Sequence, residues 1–77
     1  MDEALIKKTL PHSIDAEKSV IGSMMLDPDA VITASEMLIA DDFYGKQYGT
    51  LFDAMVKLNR EGKPVDLVTL QEKLKEI

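Results

Sequence analysis

The 77-residue sequence contains no cysteine. That excludes disulfide staples and thiolate metal sites, and it suits a reducing interior. No apolar run approaches the roughly 18 residues that a membrane span requires. The first residues, Met1 to Lys8, carry acids and too few apolar side chains for a secretion signal, so the cytoplasm is the expected compartment. Basic stretches are equally scarce. Nine Lys and Arg stand against fourteen Asp and Glu, for a net charge of −5. Lys7-Lys8 is the longest basic stretch, and the other lysines sit among acids, as in Gln71-Glu72-Lys73-Leu74-Lys75-Glu76. Binding a polyanion normally requires a basic face that releases counterions. Direct contact with nucleic acid is therefore not expected.

Sites for chemistry are missing too. His12 is the sole histidine, and no second or third ligand stands near it at helical or turn spacing, so an exposed lead-in turn is its expected place. Gly45-Lys46 resembles the end of a phosphate loop, a motif with an earlier glycine five residues before that pair and Ser or Thr after it. Ala40 and Gln47 occupy those positions, and the intervening Asp41 and Asp42 would repel phosphate. The carboxylate pairs Asp27/Asp29, Asp41/Asp42 and Glu72/Glu76 fall at helix caps or on solvated faces, where carboxylates have local reasons to be. A pocket that would tune one of them for acid–base work needs more volume than four short helices leave. No catalytic residue, cofactor or metal is expected in this chain.

What is present is an ordinary globular mixture, 45% hydrophobic and 30% charged. Its length allows one domain, and a chain this short is marginal alone and gains from a partner. Residues 1–12 are expected to form a flexible lead and residues 13–77 a helical domain. Ser13 is a good N-cap, followed by Asp15 and Glu17 where the helix dipole favours acids. Ile14, Val20, Ile21, Met24 and Met25 then recur at helical spacing, with Leu26 closing the run. Gly22 interrupts this helix, and a close contact with another backbone would explain it. Asp27-Pro28 ends the segment and starts the next, which runs to Leu38 with Val31, Ile32, Ala34, Met37 and Leu38 as buried positions. Ala40 to Gly45 form a connector that brackets Phe43 and Tyr44. A third helix spans Lys46 to Arg60 with the stripe Tyr48, Leu51, Phe52, Met55, Val56 and Leu58, and Gly62 and Pro64 mark its end.

Asp66 begins a fourth helix whose seam is Leu67, Leu70, Leu74 and Ile77. The β-branched run Val65 to Leu70 would also suit a strand, but no second strand-like run exists to pair with it. The seam is still in phase at Ile77, which suggests that a larger protein continues beyond. The expected fold is all-α, a small orthogonal bundle of about four helices. Its core comprises Ile14, Val20, Ile21, Met24, Leu38, Phe43, Leu51, Phe52, Met55, Leu67, Leu70 and Leu74. Met24, Met25, Met37 and Met55 all fall at core-compatible positions, and one of the adjacent pair Met24-Met25 should face outward, where methionine suits an adaptable contact. Asp15, Lys18, Asp41 and Asp42 are the exposed candidates for touching a partner.

Four segments then carry a resemblance. They are Ile14-Asp15-Ala16-Glu17-Lys18-Ser19-Val20-Ile21-Gly22, Met25-Leu26-Asp27-Pro28, Asp42-Phe43-Tyr44, and Gly62-Lys63-Pro64-Val65-Asp66-Leu67-Val68-Thr69. In order and spacing they are similar to the N-terminal domain of the DnaB-type replicative helicases, from about Pro11 to the end. Asp15, where glutamate is commoner, and Ile21, in place of leucine, are small departures. The resemblance implies a collar domain of a hexameric, ATP-driven DNA helicase. In such proteins ATP and Mg bind in a later motor domain. The N-terminal domains pair into a trimer of dimers and offer a docking surface to the C-terminal domain of primase. It also implies that a two-helix hairpin, which makes the dimer contact, follows the globular head seen here. The alternative reading is a free-standing adaptor that dimerises through the Leu67/Leu70/Leu74/Ile77 seam.

Overall fold

Residues 13–76 are described by a computed structural model. They form four α-helices: α1 (Ile14–Leu26), α2 (Pro28–Met37), α3 (Lys46–Arg60) and α4 (Leu67–Glu76). A short 3-10 turn, Ala40–Asp42, lies between α2 and α3, and the described residues contain no strand. The all-α expectation holds: in the run Val65 to Leu70, Val65 and Asp66 form the lead-in and Leu67 to Leu70 are helical. Lys7-Lys8, His12, the flexible lead and the last seam residue, Ile77, lie outside the described residues.

Local chemistry sets the helix ends. The Ser13 hydroxyl accepts the Ala16 N–H at 3.1 Å, capping α1. Asp27 serves two helices: its N–H donates to the Ser23 carbonyl, and its carboxylate accepts the Asp29 N–H at 2.9 Å. Pro28 then takes the first position of α2, where a missing N–H costs nothing. α3 ends at Gly62, whose φ of +74° suits a residue without Cβ. Gly62 N–H donates to Asn59 O at 3.1 Å and Lys63 N–H to Leu58 O at 3.0 Å, the paired bonds of a Schellman end. Asp66 and Thr69 cap α4 reciprocally, Thr69 N–H to Asp66 Oδ1 at 2.9 Å and Asp66 N–H to Thr69 Oγ1 at 3.0 Å.

α3 lies at the centre, against α1, α2, α4 and the 3-10 turn. Met55 and Ala54 are fully buried and Leu58 nearly so, with Phe52 and Val56 beside them. Phe43 meets Phe52 with ring centroids 5.2 Å apart and planes tilted by 39°, a favourable aromatic geometry. Ile21 and Met24 enter from α1, Val31 from α2 and Leu70 from α4. Val20, Leu38, Leu51 and Leu74 are partly buried against this core, and Ile14 is half-buried at the start of α1.

Several expected positions differ. Leu67 is 64% exposed. It occupies the first turn of α4, and Val65 of the incoming loop packs on the core at that end instead. Ile32 and Met37 are exposed as well. Met37 is the last residue of α2, and the next residue, Leu38, is the one that turns onto the core. Met24 is buried and Met25 half-buried, so neither of that pair faces fully outward. Gly22 is exposed, and a Cβ there would meet nothing within 4 Å, so no close helix contact accounts for it. The close approach is at Gly49, where a Cβ would sit 2.7 Å from the Ala40 carbonyl oxygen.

Candidate interaction surface

The four charged residues expected to meet a partner occupy two places. Asp15 and Lys18 are exposed on the outer face of α1, three residues apart. Asp41 is exposed in the 3-10 turn. Asp42 is half-buried, and its carboxylate accepts the Ile39 N–H at 2.8 Å, which closes the turn. Asp42 therefore shapes the backbone rather than presenting free charge. Its neighbour in sequence could not have told this apart, because both are short acids in one connector.

Between these places runs a contact made by Glu17. Its two carboxylate oxygens accept the N–H groups of Tyr44 and Gly45, each at 3.0 Å. Gly45 is the N-cap of α3, and the two donors belong to the chain as it enters the helix. Glu17 thus ties α1 to the start of α3 across the chain. The sequence marks Glu17 only as a first-turn acid, because a bond to donors 27 and 28 residues away leaves no local signal. Glu17 fixes where Asp15 and Lys18 lie relative to the Asp41-Asp42 turn.

At the opposite end of α3 an ion-pair cluster holds α4. Lys73, buried along its stem, reaches Glu61 at 2.6 Å and Glu76 at 3.0 Å, and Lys63 approaches Glu61 at 3.2 Å. The hydrogen bond from Lys73, then that from Lys63, hold the Glu61 carboxyl below its ordinary value. The bonds to Glu61 and Glu76 raise Lys73 above its ordinary value. These are fixed-charge contacts at a helix junction.

An open trough of about 300 Å³ lies between α1 and α2. Val20, Ser23 and Met24 form one wall and Ala30, Thr33, Ala34, Met37 and Leu38 the other. Its lining is apolar apart from two hydroxyl residues and holds no charge. Among the described residues no group of three or more His, Cys, Asp or Glu is placed to hold a metal ion, and no helix is long and apolar enough to cross a membrane.

The described residues thus form a small helical domain whose polar groups cap, clamp and pair, with an open apolar trough between α1 and α2. Residues 9–77 match the DnaB-like helicase N terminal domain. The chain is 43% identical over 74 residues to the replicative DNA helicase DnaB of Geobacillus stearothermophilus, covering 96% of this chain and 16% of that protein. It is 47% identical over 66 residues to DnaB of Pasteurella multocida, covering 86% of this chain and 14% of that protein. It is 42% identical over 74 residues to the replicative DNA helicase DnaC of Bacillus subtilis, covering 96% and 16%. No solved structure matches. The chain belongs to the DnaB-like helicase N-terminal domain family, and it spans about one-sixth of the length of the curated relatives it matches.

Proposed function

We propose that this domain acts in DNA replication as the non-catalytic head of a replicative DNA helicase, contributing to ring assembly and to docking of the primase C-terminal domain. The observation that carries this reading is the match along nearly the whole chain to one family, with replicative helicases at 42–47% identity. The parent protein would be an ATP-dependent helicase, with ATP and Mg bound outside this stretch. The domain's own contribution is then contact, and Asp15, Lys18 and Asp41 are the exposed charges proposed to take part.

The adaptor reading relied on a free apolar seam along α4. Leu70 is buried in the core and Leu74 packs against it, while Leu67 points to solvent. That leaves no continuous seam among the described residues for a second chain to use. Calorimetric titration with the C-terminal domain of the cognate primase tests the docking role. Binding in the micromolar range is expected, and absence of heat at high concentration would remove primase docking from the head.

A further inference from the structure

We infer that the trough between α1 and α2 is a docking surface for an amphipathic helix whose apolar ridge is flanked by lysine or arginine. The inference deepens the contact reading above by assigning a place and a partner chemistry to it. The trough faces solvent between α1 and α2, and exposed Ser23 on α1 shares its lining with exposed Thr33 and Met37 on α2. None of these residues is charged, in a chain whose composition is 30% charged. Small side chains on both walls let another backbone come close. Met37, 75% exposed, supplies an adaptable apolar surface at the rim.

The hydroxyls on α1 raise no obstacle to an apolar occupant. Ser19 Oγ donates to the Asp15 carbonyl at 3.0 Å and Ser23 Oγ to the Ser19 carbonyl at 2.9 Å. Both donors are already used within the helix, so covering them strands no hydrogen bond. A small molecule is a poorer fit, because such sites orient their ligand with convergent polar groups and this one has none free on α1. An open, elongated apolar trough matches the helix-in-groove mode of recognition.

Charge selects the flanks. Asp29 and Glu36 lie four and three residues from Thr33, on the same side of α2, and Asp27 stands at the hinge end. All three are exposed, and none forms an ion pair among the described residues. The only basic residue on either helix is Lys18, which neighbours Ile21, Gly22 and Met25 on the other flank of α1. A rim of one sign favours a partner of the other and disfavours a second copy, whose own acids would face it.

The probe is a synthetic helix with leucines at i, i+3 and i+7 flanked by lysines, titrated against the chain labelled at its methionine methyl groups. The Met37 signal should shift most, that of Met24, buried at the trough floor, less, and that of Met55 not at all. Replacing the peptide's lysines by glutamates should weaken binding by about tenfold or more, and Thr33→Lys or Met37→Lys in the chain should do the same with helicity unchanged. Equal binding of both peptides, shifts confined to other methionines, or movement of Met37 on concentrating the chain alone would overturn the assignment. So would a parent protein in which Met24 and Met37 do not respond because its own continuation covers them. If primase binds the Thr33→Lys and Met37→Lys variants as well as the original chain, the docking role stands and the trough assignment falls.

Discussion

A carboxylate that accepts two backbone N–H groups does more than a surface ion pair, because the donors are fixed and one of them is partly buried. Glu17 does this for Tyr44 and Gly45. Hydrogen bonds to a charged acceptor contribute about 1.5–3 kcal/mol each at best, so Glu17→Ala should cost roughly 2 kcal/mol in urea unfolding. Glu17→Gln, which keeps one acceptor oxygen, should cost less. An effect below about 0.5 kcal/mol for Glu17→Ala would mean that water replaces the clamp without loss. Two glycines give opposite expectations on one physical ground. At Gly49 a Cβ collides with the Ala40 carbonyl, so Gly49→Ala should destabilise by about 1–3 kcal/mol. At Gly22 nothing stands within 4 Å, so Gly22→Ala should stabilise α1 by about 0.5–1 kcal/mol. Thermal unfolding of the two variants checks both. From sequence alone the two glycines look alike, since a helical pattern does not say which side of a helix another backbone approaches.

At the scale of elements, chemistry that acts within a few residues was legible. Ser13, Asp27-Pro28, Gly62 and Asp66 mark their helix ends because cap bonds reach only two to five residues along the chain. The central stripe of α3 was legible too, its apolar residues being dense enough to fix the buried side. α4 was harder. Its polar face and its seam compete at Lys73, whose stem is buried although its charge suggested solvent. What decides this is Glu61, twelve residues earlier, to which Lys73 donates at 2.6 Å. The pairing has a pH signature. Glu61 is held below its ordinary value of 4.5, so its contribution is complete above that value and is lost as pH falls through the lowered one. Lys73 is held above its ordinary 10.5, so its contribution is complete below that value and is lost as pH rises through the raised one. The stability difference between the original chain and Lys73→Met should therefore be level between about pH 4.5 and 10.5 and shrink outside it. A difference that changes steadily across neutral pH would contradict the ion-pair account.

For the whole molecule, the distribution of exposed surface matters more than any single group. A chain of this size buries a thin core, here organised around one helix, and leaves Leu26, Met37, Ile39 and Tyr44 at the surface. The family was readable in the sequence through four segments. The trough was not, because it arises from two helices placed side by side, and its lining mixes small residues with Met24, Met37 and Leu38, which the helical pattern assigns to the core. Asp42 shows the same limit from the other direction: its charge marked it for a partner, and the turn it closes consumes it. The central claim is that this domain serves the parent helicase by contact and contributes no chemistry. The most direct measurement compares the full-length parent with a version lacking the head, following ATP hydrolysis and primase co-sedimentation together. The account predicts that the headless protein still hydrolyses ATP and no longer carries primase with it; primase retained in full on the headless protein would contradict it.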